Sequence, residues 1–159
     1  MRLNLIIRNC IGLVAASLAL ATVAAEVAVP PVLDRSGLPM PGPVWLDGNP
    51  YRGNARALEV GQSAFSQSCA RCHGADADPG AGMPAPDLRR LNRYCRGIAN
   101  PALQKACMAD NDQYFRKTVQ LGKLIVGVRH MPGWETALMQ EDIWAIQAFI
   151  ESRIDRKAP

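Results

Sequence analysis

The chain has 159 residues, 18 basic against 14 acidic, with a formal net charge of +4. That length suits a single domain and excludes a second catalytic module. Apolar residues make up 48%, enough for a core, but only three Trp, three Tyr and three Phe are available to fill it, so a non-protein group is an expected source of bulk.

Arg2 and Arg8 precede an uncharged, mostly apolar run from Asn9 to Ala25 that ends in Ala21-Thr22-Val23-Ala24-Ala25. A basic start, an apolar stretch and small terminal residues mark a secretory signal, so residues 1–25 are expected to be removed after Ala25. A single membrane anchor is the alternative, because the run is only slightly short of the ~20 residues that span a bilayer. The Val23-x-Ala25 end favours cleavage and hence no stable anchor. Losing Arg2 and Arg8 lowers the balance of the mature chain from +4 to +2. Export also makes nucleic acid an unexpected partner.

Residues 26–56 carry Pro30, Pro31, Pro39, Pro41, Gly42, Pro43, Gly48, Pro50 and Gly53 without a sustained helical or strand period. They read as an extended arm, with Trp45 and Tyr51 placed to pin it to the domain of residues 57–155. In that domain a helical pattern begins near Arg56, with Ala57, Val60, Ala64, Phe65 and Ser68 at three- and four-residue steps leading into Cys69. A second helix is expected over Asp112 to Gly122, with Tyr114, Phe115, Thr118 and Val119 on one side. The last helix has Ile143, Ile146, Phe149, Ile150 and Ile154 in helical register, Glu141 and Asp142 in its first turn and Arg153 near its end. Leu124 to Val128 is short and glycine-broken and reads as an extended connection. The expected fold class is therefore all-α. No phosphate-binding glycine loop or nucleophile elbow interrupts it.

With Cys10 in the leader, four cysteines remain: Cys69, Cys72, Cys95 and Cys107. Zinc wants two closely spaced ligand pairs, and the second pair here is split by eleven residues. A thioredoxin-like dithiol needs βαβ surroundings that this chain lacks. Cys69-Ala70-Arg71-Cys72-His73 instead has the spacing of covalent haem attachment. At a helix end the two thiols project to one side and can form thioethers to one porphyrin, with His73 beneath the iron. Cys95 and Cys107 are then left to pair as a structural disulfide in an oxidising compartment, free buried thiols being the alternative.

The sixth position of the iron separates an electron carrier from a ligand-binding or peroxidase haem. Met83 follows His73 too soon, Met108 is tethered beside Cys107, and Met139 opens the last helix. Met131 lies well downstream, in Val128-Arg129-His130-Met131-Pro132-Gly133-Trp134, where Pro132 fixes the backbone and Trp134 can cover the ring. His130 as ligand would give a lower-potential bis-histidine centre; the Met-Pro step favours Met131, with His130 at the surface.

These features resemble class I cytochrome c over roughly residues 57 to 154. Gly61 and Phe65 look like the glycine and aromatic of that family's first helix, and Ala148, Phe149 and Ile150 like the alanine, aromatic and aliphatic of its last, where the two helices cross. Pro86-Asp87-Leu88 resembles the family's Pro-x-Leu, which implies that the Pro86 carbonyl accepts a hydrogen bond from His73 and that Leu88 packs on the ring. The resemblance implies a fold wrapped around one covalently attached haem c with its iron, and electron transfer rather than catalysis.

A narrower resemblance is to the cytochrome c-550 group that serves PQQ-dependent alcohol dehydrogenases. It rests on Asn49-Pro50-Tyr51-Arg52-Gly53-Asn54, the haem box with Gly74, the Cys95 and Cys107 pair, Asp110-Asn111-Asp112-Gln113-Tyr114-Phe115 and Gln140-Glu141-Asp142-Ile143-Trp144-Ala145-Ile146. It implies a periplasmic location, a quinoprotein alcohol dehydrogenase as donor and a further cytochrome or oxidase as acceptor. Met131-Pro132-Gly133-Trp134 departs from the commoner Met-Pro-Pro-Phe. From Arg89 to Arg129 nine basic residues face only Asp110 and Asp112, an asymmetry that would steer an anionic redox partner. A haem enzyme with an open sixth site is the alternative function.

Overall fold

A computed structural model describes residues 28–153. The leader assigned to residues 1–25, Ile154 and the end of the 57–155 domain lie outside the described residues. Helix α1 spans Ala55–Ser68, α2 Ala70–His73, α3 Arg93–Arg96, α4 Pro101–Leu121 and α5 Gln140–Ser152; Leu88–Arg90 form one 3-10 turn. Between α4 and α5 lies an antiparallel hairpin of β1, Lys123–Ile125, and β2, Val128–Met131.

Helix α1 starts where the Asn54 side chain accepts the Ala57 N–H at 3.0 Å, supplying an N-cap. Its apolar period turns Ala57, Val60, Gly61, Ala64 and Phe65 inward against α5. Gly61 sits at the crossing, where a Cβ would come within 2.0 Å of the Ala145 carbonyl oxygen. A side chain there would force the helices apart. One turn on, the Phe65 and Phe149 rings meet with centroids 5.2 Å apart, in a tilted contact favoured by aromatic quadrupoles.

Helix α5 is buried at every position from Gln140 to Ile150, not along one stripe. One side faces the main core of Phe65, Phe115, Trp134 and Leu138; the other packs Trp144, Ala145 and Ala148 against Leu38, Tyr51, Ala57 and Val60. The second cluster exists because the coil of residues 28–54 lies along the helix. Arg35 holds Asp142 through two hydrogen bonds of 2.7 and 2.8 Å, and Gln140 accepts the Leu46 N–H while donating to the Gly42 and Val44 carbonyls. Tyr51 donates its hydroxyl proton to the Pro39 carbonyl and is buried, whereas Trp45 is half-buried against the main core. Asp142, expected in the first turn where the helix dipole favours an acid, is there, fully buried by this clamp, and also accepts the Met139 N–H at 3.0 Å.

Two elements depart from the sequence reading. Helix α4 begins at Pro101, eleven residues before Asp112, because Asn100 caps it by accepting the Ala102 and Leu103 N–H groups and Pro101 occupies its first turn. Its first half buries no side chain, so no apolar stripe announces it; the Cys95–Cys107 disulfide, with Cα atoms 5.5 Å apart, ties it to α3. In its second half Phe115 and Val119 are buried as expected, but Tyr114 is exposed and accepts a hydrogen bond from Lys123.

The described elements are helical, as the all-α expectation has it, apart from the one two-stranded hairpin. Ile125 pairs with Val128 across a two-residue turn in which Val126 and Gly127 both have positive φ, at 48° and 77°. That is the geometry of a tight hairpin turn, usually written Asn-Gly. Gly127 supplies half of this signal, and the valine masks the rest.

Candidate functional site

The site starts where α1 ends. Cys69 caps α1, its N–H bonded to the Phe65 carbonyl at 2.8 Å, and the single turn of α2 follows through Cys72 N and His73 N, both donating to the Cys69 carbonyl. Gly74 then reverses the chain at φ 71° and ψ 158°, a region open essentially to glycine alone. A Cβ on Gly74 would lie 1.9 Å from the Asp78 carbonyl oxygen. The loop it starts is tied back by Ala77 N to Gly74 O and by Leu88 N to Ala77 O.

This loop delivers Pro86 to His73. The His73 Nδ1 lies 3.1 Å from the Pro86 carbonyl oxygen. A carbonyl can only accept, so Nδ1 carries the proton and the Nε2 lone pair is left for a metal. Burial lowers the imidazole's pKa below its ordinary value, with the Pro86 hydrogen bond partly opposing the shift. Asp87 fixes the next step, accepting the Arg89 N–H at 3.0 Å and opening the turn that contains Leu88.

Cys69 and Cys72 are free thiols, whereas Cys95 and Cys107 are bonded to one another. Burial, helped by the neighbouring Cys72, pushes the Cys69 thiol up to about 12. A neutral thioether at the same place would carry no such desolvation penalty. The disulfide also removes the second cysteine pair from any metal.

Of the other candidates, Met131 ends β2 half-buried, and it packs with Cys69 and Leu88 against the same apolar cluster. Met83 and Met139 are exposed, as is His130. The structure thus brings Cys69, Cys72, His73, Pro86 and Leu88 together through one turn and its return loop, and packs Met131 against the same apolar cluster as Cys69 and Leu88, while the Cys95–Cys107 pair ties α3 to α4.

The position of Met131 depends on residues that sequence reasoning used only as a helix stop and a motif letter. A Cβ on Gly122 would lie 2.3 Å from the Met131 carbonyl oxygen, and one on Gly133 would lie 2.7 Å from the Gln120 carbonyl oxygen. Trp134 N–H donates to the Val119 and Gln120 carbonyls, both at 3.0 Å. The two glycines therefore let the chain on either side of the hairpin close onto the end of α4. Their separation across an exposed hairpin hid this pairing.

A first helix closing on a Cys-x-x-Cys-His turn, with its imidazole aligned by a carbonyl, defines a c-type cytochrome domain. Residues 56–150 match the family model described as cytochrome c oxidase, cbb3-type, subunit III. The chain belongs to the class I cytochromes c. It is 34% identical over 156 residues to cytochrome c550 of Pseudomonas aeruginosa, covering 96% of this chain and 97% of that one. Among solved structures it is similar to cytochrome CL of the marine methylotroph Methylophaga aminisulfidivorans, with a TM-score of 0.46, 18% identity and 79% of each chain covered.

Family membership implies a covalently bound haem c with its iron, and a role as an electron carrier. The residues present fit that group: two unpaired thiols one helical turn apart, an imidazole with its far nitrogen held by a carbonyl, and half-buried apolar side chains converging beside them. Among the described residues no helix is long and apolar enough to cross a membrane.

Proposed function

We propose that the protein is a periplasmic one-electron carrier that would hold a single haem c through Cys69 and Cys72, with His73 and Met131 as the residues that would ligate its iron. Its donor is a PQQ-dependent alcohol dehydrogenase and its acceptor a further cytochrome or terminal oxidase. The 34% identity with a cytochrome c550 over nearly the whole of both chains supports the carrier reading. The observation that carries the ligand assignment is the His73–Pro86 hydrogen bond, which orients the imidazole and raises its basicity toward a metal.

When bound, haem supplies a one-electron iron couple. The polypeptide supplies the surroundings that tune it. Cys69 and Cys72 would anchor the group by thioether bonds, Pro86 fixes the imidazole, Leu88 would shield its side of the site, and Met131 would offer a thioether sulfur that favours a high potential. No side chain is asked to move a proton or attack a substrate.

The test has two stages. The mature protein is purified after export and its mass compared with the bare chain: an added macrocycle that survives denaturation is expected, and its absence removes the proposal. The oxidised protein is then mixed with a purified PQQ-dependent alcohol dehydrogenase and its alcohol. Reduction faster than with an unrelated dehydrogenase supports the donor, and equal rates reject it.

A further inference from the structure

We infer that the β1–β2 hairpin is the docking element for the electron-donating dehydrogenase, and that this partner presents an apolar recess bordered by carboxylates. The inference rests on the carrier reading above and names the contact surface for it.

The hairpin runs against the rule that apolar side chains are buried. Leu124 is 64% exposed, Ile125 52%, Val126 97% and Val128 59%, all within five consecutive residues. Isolated exposed aliphatics need no explanation, but four exposed aliphatics within one hairpin turn and its flanks point to an interaction surface. Val126 adds a second observation. It occupies φ 48°, a region where a β-branched residue is a true outlier. Asparagine would make the same turn without that strain. The valine neither packs in the core nor suits its backbone, so its value lies in what it touches outside the molecule.

Charge specifies the partner. Between Asp112 and Glu135 the chain contains no acidic residue but has Arg116, Lys117, Lys123 and Arg129. Lys123 is held at the base of the hairpin by a 2.6 Å hydrogen bond to the Tyr114 hydroxyl and stands 4.4 Å from that ring's centroid. An apolar tip with cationic flanks complements an apolar recess with an acidic border, and such charges speed encounter more than they tighten the complex. A lipid surface fits less well. The hairpin carries only Lys123 and Arg129 as Lys or Arg, and none of the Trp or Tyr side chains that favour the membrane interface.

Position gives the surface its purpose. The base of the hairpin is fixed to α4 by the Gly122 and Gly133 contacts and by Trp134 N–H, and β2 ends on Met131. A partner seated on the tip is thus brought to the chain segment that carries the proposed iron ligand.

The experiment uses the haem-loaded protein and the variants Val126→Asn, Leu124→Ser and Arg129→Gln. Reduction by a PQQ-dependent alcohol dehydrogenase with its alcohol is followed by stopped flow at several salt concentrations, with ascorbate as a small-molecule reductant in parallel. Val126→Asn and Leu124→Ser should each slow reduction by the dehydrogenase about fivefold to tenfold, an ordinary loss for an interface anchor. Both should leave reduction by ascorbate unchanged. Arg129→Gln should weaken the salt dependence, and Val126→Asn should melt no lower than the native protein, which separates lost docking from lost folding.

Equal rates for native and variant proteins with the dehydrogenase would overturn the docking site and leave the carrier standing. A native protein that ascorbate reduces and the dehydrogenase does not would overturn the donor and this site together; one that neither reduces would overturn the carrier reading as well. A shifted visible spectrum in Val126→Asn, or sedimentation with phosphatidylglycerol vesicles that the substitution abolishes, would assign the side chain to the haem or to lipid and reject the proposal.

Discussion

His73 shows how one side chain acquires a chemical role from its neighbours. Its Nδ1 is committed to the Pro86 carbonyl at 3.1 Å, so only Nε2 can bind a metal, and Gly74 directly after it permits the reversal that brings Pro86 back. Met131 is its proposed counterpart across the site. Replacing it as Met131→Ala in the haem-loaded protein is expected to abolish the sulfur-to-iron charge-transfer band of the oxidised form, lower the potential and admit cyanide readily, because a thioether ligand raises the potential and its removal opens a position. Visible spectroscopy and a redox titration check this. An unchanged spectrum would remove Met131 from the iron and return attention to His130.

Elements are held by different means, and that difference decides which of them the sequence announces. Helices α1 and α5 are legible because their apolar residues recur at helical spacing and meet at Gly61. Gly61→Ala is expected to cost about 1–3 kcal/mol, as for other overpacked cores, and more if α1 cannot shift, since its Cβ would overlap the Ala145 carbonyl. Chemical denaturation followed by circular dichroism measures it. The first half of α4 is illegible by periodicity because it buries nothing, and its signals are an Asn-Pro cap and a cysteine. Removing the Cys95–Cys107 bond by double serine substitution should cost about 3 kcal/mol in the chain-entropy model, with the loss concentrated in α3 and the start of α4. Hydrogen exchange of those segments against α1 locates it. The Cys69–His73 turn could be read directly because attachment, ligation and spacing are all local. The cluster of Arg52 and Glu151 with the buried Asn49, Asp112 and Gln147 could not, because its members come from three distant segments and have no local pattern. Within it, burial works against the Arg52 charge, but hydrogen bonds to Asp112 and Glu151 outweigh it and hold the pKa above the ordinary arginine value.

Over the whole molecule, the coil of residues 28–54 is a structural layer, joining α1 in covering the Trp144, Ala145 and Ala148 side of α5. Tyr51 reports on it. Burial, with Glu141 and Asp142 nearby, raises its pKa from 10.0 to about 12. Because the folded value lies above the unfolded one, the stabilisation is complete below pH 10 and is lost as pH rises through about 12. Unfolding titrations should show an alkaline decline in that window that Tyr51→Phe reduces, since phenylalanine keeps the packing but cannot ionise. An identical decline in the variant would assign it elsewhere.

Both apolar clusters draw on α5: Ile143, Ile146, Phe149 and Ile150 for one, Trp144, Ala145 and Ala148 for the other. That helix is the last of the described elements to be synthesised. A nascent polypeptide stopped short of α5 has partners for neither set, so it remains loose and protease-sensitive until that helix emerges.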